Sequence, residues 1–237
     1  MIKNIQFGTQ PIVVHAQGPH KIKPYWKPIR DRFFSSPARR LSPGPDLTVI
    51  TWNNGHEAMG IFEKSMQHLG LECMVLGQGV EKWVNSYHKP LLTRDALKSV
   101  NTKYVLGIDS RDAIIIDDPQ IALDRFLNLF DCDLLISADL INWPNLPKFK
   151  KFEEKCAEEY DTPYKYINSG AWIGKTETAL LFFEQAVNTE PVPQLPASEQ
   201  GITKQVFQDQ YPAVQLDYYC RIFQNIGFAP ADTIEIL

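Results

Sequence analysis

The sequence lacks any long apolar run. Its longest apolar segments are far shorter than the roughly 20 residues that a membrane-spanning helix needs; they are Tyr104–Ile108, Ala113–Ile116 and Leu134–Ile136. The first residues, MIKNIQFGTQPIVV, also lack the continuous apolar core of a secretory signal. These two absences predict a cytoplasmic protein with no membrane span.

Cysteine is scarce, and internal repeats and low-complexity segments are absent. The four cysteines, Cys73, Cys132, Cys156 and Cys220, form no CxxC pair. This spacing fits neither a zinc site nor a dense disulfide framework, and it predicts buried thiols in a reducing compartment. Apolar residues make up 44% and charged residues 22%, which excludes disorder, coiled coil and collagen. The 237 residues are interpreted as one domain, 1–237.

Positive charge is concentrated at the N-terminus. Residues 1–45 contain eight Lys or Arg and one acidic residue, Asp31, whereas the whole chain has a net charge of −4. A basic arm could contact nucleic acid, but this one lacks the interleaved aromatics and the repeated basic stripe of a dedicated binder. The alternative is a solvated arm packed over an acidic body. The acidic body argues against a nucleic-acid partner.

The chain divides into three segments by composition. Residues 1–18 hold a short strand candidate, Pro11–His15. Residues 19–45 contain six prolines, which break helices and predict an extended arm or loop. Residues 46–237 form the main body.

In the main body, strand patterns alternate with helix patterns. The predicted strands are Leu47–Thr51, Glu72–Leu76, Tyr104–Ile108, Asp133–Ser137 and Tyr164–Ile173, and the predicted helices are Glu57–Leu69 (closed by Gly70), Leu91–Val100, Pro119–Phe130, Lys148–Glu159, Thr176–Val187 and Ser198–Gln208. This alternation predicts an α/β fold with a mostly parallel sheet flanked by helices. Ligands of such sheets bind beyond the carboxyl ends of the strands. We therefore expect the loops after Thr51, Ile108 and Ser137 to surround one cleft.

Two acidic residues follow the third of these strands in a DxxD motif. Asp109 and Asp112 flank Ser110-Arg111, directly after Tyr104–Ile108. Two carboxylates in one strand-end turn repel each other unless a cation neutralises them. Oxygen ligands with open positions suit Mg²⁺ or Mn²⁺. The alternative is a helix cap, a role that Asp118, directly before Pro119, is predicted to play.

A second polar motif, Asn168-Ser169-Gly170, interrupts the apolar segment YINSGAWIG. A short polar turn there would let the backbone and the Asn side chain approach a ligand. The structural alternative is a turn with a bulge.

Together, these segments resemble the glycosyltransferase domain of procollagen lysyl hydroxylases and related sugar transferases of the GT-A (Rossmann-like) fold. The matching segments, in family order between Leu47 and Asn225, are YVLGIDSRDAI, LISADLINWPN, YINSGAWIG, Ser198-Glu199-Gln200 and LDYYCRIFQN. The resemblance implies that Asp109 and Asp112 bind a divalent metal.

One further match is out of family order. The family's domain closes with a strand and loop whose histidine completes the metal site, but no histidine follows His88 here. The N-terminal segment PIVVHAQGP, residues 11–19, resembles that strand and loop. We therefore interpret the domain as circularly permuted, with the N-terminal strand pairing beside Asp109–Asp112. His15 then supplies a nitrogen ligand, which favours Mn²⁺ over Mg²⁺. The alternative is a chance strand with an exposed histidine.

The resemblance also implies a donor site for a UDP-sugar. The metal would stabilise the charge that grows on the departing UDP. The implied donor contacts are Thr51, Trp52, Asn53, Ser110, Gly18 and Lys21. Trp52 is equally compatible with a core position, and Lys21 with a solvated one.

On the acceptor side, the resemblance implies a hydroxyl group of a glycan, a peptide or another molecule. The residues expected there are Asp139, Glu199 and Asn168 for catalysis, with Trp143, Ser169, Gly170 and Gln200 for substrate binding. An inverting mechanism needs a base, which Asp139 or Glu199 could supply, whereas a retaining mechanism needs none. The family's Asp-Asp-Gln is Ser198-Glu199-Gln200 here and its Gly-Asn is Ala16-Gln17, so donor or acceptor preference is expected to differ from that of the collagen enzymes.

Two other functions remain open at the level of the sequence. A catalytically silent module that binds a nucleotide sugar or a glycan would share the fold, although such a module is expected to lose its metal ligands first. A metal-dependent phosphohydrolase or nucleotidyltransferase would need a second acidic cluster, and only Asp117-Asp118 is nearby. Oligomeric state is not indicated by the sequence.

Overall fold

The fold is taken from a computed structural model that describes residues 2–18, 23–56 and 58–237. Strands and helices alternate along most of the described chain. The strands are β1 (Ile2–Asn4), β2 (Val13–His15), β3 (Leu47–Trp52), β4 (Met74–Leu76), β5 (Tyr104–Ile108), β6 (Ala113–Ile115), β7 (Leu134–Asp139), β8 (Tyr166–Lys175), β9 (Val214–Leu216), β10 (Phe223–Asn225) and β11 (Ile234–Ile236). The helices are α1 (Trp26–Ser35), α2 (Ile61–His68), α3 (Asn85–Leu97), α4 (Pro119–Leu129), α5 (Pro147–Cys156), α6 (Thr176–Asn188) and α7 (Glu199–Gln210).

The central sheet has six strands in the order β4-β3-β5-β8-β7-β9. Its pairings are parallel except along β8, which runs antiparallel to both β5 and β7. The prediction of an α/β fold with a mostly parallel sheet is confirmed. The carboxyl ends of β3, β5 and β7 meet at one edge of this sheet, which is the edge where the sequence predicts a cleft.

Helices cover both faces of the central sheet, because alternate strand residues point to opposite sides. In β5, Val105 packs into one apolar cluster with residues of α3, α6 and α7. Its neighbours Leu106 and Ile108 pack into the other cluster, with residues of α2 and α4. Both faces of β5 are therefore buried, as its continuous apolar sequence indicates.

A second sheet has three strands in the order β10-β2-β6. The strand predicted at the N-terminus is β2, and all its residues are buried. It pairs antiparallel with β6, with His15 opposite Ala113, so the expected pairing beside Asp109–Asp112 is observed. That this strand has moved from the other end of the domain stays a prediction. Strand β1, near the start of the described chain, pairs antiparallel with β11, near its end.

The prediction of an extended arm or loop over residues 19–45 is wrong for the helix α1. Pro28 lies in the first turn of this helix, where a missing backbone N–H costs no internal hydrogen bond. Ile29 is buried and packs with Val14 and Ile114 of the second sheet. The apolar face of α1 thus outweighs the prolines around it.

Two helices, α2 and α3, begin at residues other than those predicted. Helix α3 runs from Asn85 to Leu97 rather than from Leu91 to Val100, and it contains Pro90. Helix α2 begins at Ile61 rather than Glu57, and Glu57 lies outside the described residues.

Gly70 ends helix α2 with φ of 75°, and Asp118 caps α4 by accepting a hydrogen bond from Gln120 N, both as expected. Asn168-Ser169-Gly170 is no turn, because it lies inside the continuous strand β8, and the expected irregularity is a bulge in the pairing with β7.

The four cysteines are unpaired. In the part of the chain that the structure describes, we find no helix with the length and apolar character needed to cross a membrane.

Candidate metal and donor site

Three side chains from two distant segments of the chain converge at the carboxyl end of β5. Asp109 directly follows β5, Asp112 directly precedes β6, and His15 ends β2. His15 Nε2 lies 3.3 Å from Asp112 Oδ1 and 3.8 Å from Asp109 Oδ2. The nitrogen of His15 and one oxygen of each carboxylate all lie within 4.8 Å of one another. The antiparallel pairing of β2 with β6 produces this arrangement.

The electrostatics of the cluster favour a positive charge between the carboxylates. Burial by itself would lower the pKa of His15, but Asp112 and Asp109 outweigh it, so the pKa of His15 is raised. Burial would raise the pKa of Asp112, but His15 outweighs it, so the pKa of Asp112 is lowered. The cluster therefore stabilises a cation, supplied either by a protonated His15 or by a metal ion.

The donor set fits a divalent metal. It consists of one imidazole nitrogen and two carboxylates, and divalent metal ions bind both types of ligand. His15 Nδ1 is engaged with Asn225 Oδ1 at 3.0 Å, so Nε2 is the nitrogen that faces the carboxylates. His15 is buried, whereas the side chains of Asp109 and Asp112 are 31% and 40% exposed. The carboxylates are thus open to a ligand from one side.

Gly170 leaves the space that this cluster needs. A Cβ at residue 170 would lie 2.2 Å from Cε1 of His15 and 2.9 Å from Oδ2 of Asp109. Strand β8 therefore passes directly against the cluster, and a larger residue there would displace the histidine ring. Within the Asn168-Ser169-Gly170 motif, the cluster therefore depends on Gly170, whose lack of a side chain leaves space for the His15 ring.

A cleft of about 550 Å³ opens beside the two aspartates. It is lined by residues that follow β3 and β5 and by residues around the start of α3, namely Trp52, Asn53, Asn54, His56, Trp83, Asn85, Lys89 and Asp109–Asp112. Of the expected donor contacts, Trp52, Asn53 and Ser110 lie in this lining. Thr51 is fully buried and donates to Ile108 O at 2.7 Å, and Lys21 lies outside the described residues.

A buried carboxylate holds the donor-side loops together. Glu63 Oε1 accepts hydrogen bonds from Asn53 Nδ2 at 2.7 Å and from Ser110 Oγ at 2.6 Å. Glu63 lies on α2 and is itself buried. The loops after β3 and β5 are therefore fixed relative to each other by one side chain that the sequence interpretation did not single out.

Lys89 is the main cleft residue that the sequence interpretation missed. Its Nζ donates to Asp109 Oδ1 at 2.8 Å and to Ser169 O at 3.1 Å, and it lies 4.5 Å from the centre of the Trp52 ring. Burial would lower the pKa of Lys89, but Asp109 and Glu199 outweigh it, so the pKa is raised. Nothing in the local sequence marks this lysine, because it lies before the predicted start of its helix.

A second cavity, of about 320 Å³, lies beside Gln17 and Gly18, the residues that follow β2. Its lining residues are Gln17, Gly18, Asp139, Ile141, Trp143, Asn168, Gln200 and Phe228. Four of the residues expected on the acceptor side meet here, while Gly18, expected on the donor side, lies here instead of in the cleft. Gln200 connects two parts of the wall, because its Nε2 donates to Trp143 O at 2.6 Å and to Ile167 O at 3.0 Å.

Asp139 is the buried carboxylate of this cavity. Its Oδ2 accepts hydrogen bonds from Gln17 Nε2 and Asn168 Nδ2, both at 2.9 Å, and its Oδ1 accepts from Leu140 N at 2.7 Å. Burial raises the pKa of Asp139 even though these hydrogen bonds oppose the shift. The carboxyl group is therefore held in one orientation with an increased affinity for a proton.

Glu199 lies in the interior, outside the linings of the cleft and the second cavity. Its Oε2 accepts from Ser169 Oγ at 2.7 Å, and its Oε1 accepts from Thr203 Oγ1 at 2.8 Å. Lys89 Nζ is 3.7 Å from Glu199 Oε2. The structure thus brings Glu199 and Ser169 together behind Lys89, while Asp139 lines the second cavity.

Residues 45–235 match a family model of glycosyltransferase domains. That model is the PLOD GT domain, and the chain belongs to this family. Asp109 and Asp112 lie inside the matched residues, and His15 lies outside them.

Two similar proteins are viral. An uncharacterised protein of Acanthamoeba polyphaga mimivirus is 26% identical over 193 residues, which is 76% of this chain and 39% of that protein. The chain therefore spans about two fifths of the length of this relative. A solved glycosyltransferase involved in the glycosylation of the major capsid of PBCV-1 superposes with a TM-score of 0.41 and 12% identity, covering 78% of this chain and 96% of that one.

Proposed function

We propose that the protein is a divalent-metal-dependent glycosyltransferase that moves a hexose from a UDP-sugar to a hydroxyl acceptor. The observation that supports this most strongly is the position of the His15, Asp109 and Asp112 cluster. The two aspartates line the larger cleft, whereas Gln17, two residues after His15, lines the second cavity. A transferase needs such an arrangement, with a donor pocket, an acceptor pocket and a cation-binding cluster between them.

On the donor side, the cleft beside Asp109 and Asp112 takes the nucleotide. Trp52 and Trp83 offer aromatic surfaces for a base, and Asn53 and Ser110 offer polar contacts. Lys21 remains a proposed donor contact that follows from the family resemblance, whereas Thr51 is buried behind the cleft and Gly18 lines the second cavity. His15, Asp109 and Asp112 would hold Mn²⁺, with Mg²⁺ as the other candidate. When bound, the ion supplies Lewis-acid stabilisation of the negative charge on the departing UDP. Lys89, held against Asp109, adds a fixed positive charge at the same place.

On the acceptor side, the second cavity takes the hydroxyl group. Trp143, which is 53% exposed, offers a flat apolar surface to a sugar or another acceptor, and Asn168 and Gln200 offer amide groups. Asp139 orients the acceptor hydroxyl and, in an inverting reaction, accepts its proton, a role that a raised carboxyl pKa supports. Ser169, Gly170 and Glu199 shape the wall between the two pockets.

The test is release of UDP from a panel of UDP-sugars in the presence of Mn²⁺. His15→Ala and Asp112→Ala are expected to lose at least 100-fold in rate, because each removes a direct metal ligand. His68→Gln and Asp124→Asn are matched controls on α2 and α4, outside both pockets, and are expected to keep the wild-type rate. If only Asp112→Ala loses activity, His15 is not a ligand; if no UDP-sugar turns over, the transferase proposal fails.

One observation favours a catalytically silent nucleotide-sugar or glycan-binding module as the second candidate. Lys89 already neutralises Asp109 at 2.8 Å, so the cluster can exist without a metal. This alternative predicts binding of UDP-sugar without turnover, in the same panel.

A further inference from the structure

Asn225 is the residue that contacts His15 on the side away from the aspartates. It ends β10, which runs parallel to β2 with Asn225 opposite His15. Asn225 is 1% exposed, and its Oδ1 lies 3.0 Å from His15 Nδ1. This asparagine belongs to the IFQN segment, for which the proposed function has so far no role.

The hydrogen bonds of Asn225 leave its amide group one orientation. Its Nδ2 donates to Ala138 O at 2.7 Å and to Ser137 Oγ at 3.1 Å. A backbone carbonyl can only accept a hydrogen bond, so the amide nitrogen must face Ala138. The Ser137 hydroxyl in turn donates to Asn168 O at 3.0 Å and is free to accept from Asn225. The amide oxygen is therefore the atom that faces His15.

This orientation determines the state of the imidazole ring. An amide oxygen can only accept, so His15 Nδ1 must be protonated and must donate. In the neutral ring the proton then stands on Nδ1, and the lone pair stands on Nε2, which faces Asp112 and Asp109. A metal-binding histidine is typically oriented in this way, by a hydrogen bond from its second ring nitrogen.

We propose that Asn225 is a positioning residue that selects the Nδ1-protonated form of His15 and so prepares Nε2 to bind a divalent metal. The inference rests on the metal site of the proposed function. It links the two ends of the described chain, since the histidine lies on β2 and its partner lies on β10, 210 residues apart in sequence.

Mn²⁺ binding to the full chain, without nucleotide or sugar, tests the proposal. Free Mn²⁺ is measured by electron paramagnetic resonance. Asn225→Leu keeps the approximate volume but removes the acceptor, and its Mn²⁺ affinity is expected to fall 10–100-fold. Asn225→Asp keeps an acceptor for Nδ1–H and is expected to bind more tightly than Asn225→Leu.

Gln224→Leu is the matched control. Gln224 is the preceding residue of β10 and is fully buried, but its side chain bonds to Asn4, to Tyr164 and to the backbone carbonyl of Asn225 rather than to His15 or the Asn225 side chain. The control is therefore expected to lose stability while its Mn²⁺ affinity remains that of the wild type. Equal losses of affinity in Gln224→Leu and Asn225→Leu would overturn the proposal, because they would indicate a general structural effect.

A second measurement needs no variant of Asn225. Nitrogen NMR of metal-free wild-type protein labelled in its histidines reports the tautomer of His15 once its ring has been titrated to the neutral form, with the signal assigned by His15→Ala. The expected result is a proton on Nδ1, and a proton on Nε2 would overturn the proposal.

These outcomes separate the inference from the proposed function. A wild type that binds Mn²⁺ with the expected tautomer but releases no UDP would contradict the transferase and support the role of Asn225. A wild type that releases UDP while Asn225→Leu keeps full Mn²⁺ affinity would overturn the role of Asn225 alone.

Discussion

At the scale of single residues, the cluster depends on groups that hold His15 in place as much as on the aspartates themselves. Asn225 bonds to one ring nitrogen of His15, and Gly170 leaves room for the ring edge. Lys89 occupies the other side of Asp109. The sequence indicates the two aspartates by their position directly after a strand, and it indicates His15 and Gly170 through the family resemblance. Lys89 and Asn225 become visible once the strands are paired.

Gly170→Ala provides a test of the space around His15. The added Cβ would lie 2.2 Å from the ring, so the ring or β8 must shift, at a cost of about 1–3 kcal/mol in stability. We expect Mn²⁺ affinity and UDP release to fall together. Gly8→Ala is the control, because its Cβ meets nothing within 4 Å although Gly8 has φ of 67°; it should cost roughly 1–2 kcal/mol and leave Mn²⁺ affinity unchanged. Wild-type Mn²⁺ affinity in Gly170→Ala would contradict the steric argument.

At the scale of elements, a buried ion pair connects α7, α5 and the loop that bears Trp143. Lys204 Nζ donates to Glu153 Oε2 at 2.6 Å and to Asn142 Oδ1 at 2.9 Å, and both charged side chains are at most 1% exposed. Burial lowers the pKa of Lys204 and raises the pKa of Glu153. Each charge is therefore costly without its partner. The helical pattern predicts α5 and α7, but it does not indicate that these two side chains meet.

Lys204→Met is expected to destabilise the protein by about 3–5 kcal/mol, because Glu153 is left as a buried, unpaired charge. Adding Glu153→Leu should recover most of the loss. Denaturant unfolding measures both changes. The comparison is Lys175→Met, which breaks an exposed pair with Asp133 at 2.5 Å and should cost less than about 1 kcal/mol. A double variant as unstable as the single one would show that packing, rather than charge, dominates at this place.

At the scale of the whole molecule, the two ends of the described chain lie together. Ile2 is paired with Ile236 in the β1–β11 ladder. Antiparallel partners have Cα atoms about 4.5–5.5 Å apart, so a short linker can join them. The segment between α1 and β3 is a suitable place for new termini, since Ser42 and Pro43 are exposed. The geometry is thus compatible with the proposed circular permutation.

A rearranged chain tests this interpretation. It joins residue 237 to residue 2 through a short Gly-Ser linker and begins at Pro43, which gives the strand order that the family resemblance implies. Calorimetry should give a melting temperature within about 4 °C of the wild type, equivalent to about 1 kcal/mol for a chain of this length. Mn²⁺ affinity should be kept. A chain opened instead between Ile114 and Ile115, inside the buried strand β6, should not fold; if the Pro43 chain fails as well, the permutation argument loses its support.

The sequence alone determined the α/β class, most strand and helix positions, and the acidic pair after β5, because these depend on local periodicity and on residues close in sequence. The tertiary structure decided the rest. It turned part of the proline-rich segment into α1, since Ile29 finds an apolar surface on the second sheet. It also brought Lys89 and Asn225 to the site, and it set the geometry of the contact between His15 and Asp112, 97 residues apart, which the family resemblance had only implied. Contacts of this kind depend on which strands pair and in which register, and local sequence patterns do not specify either.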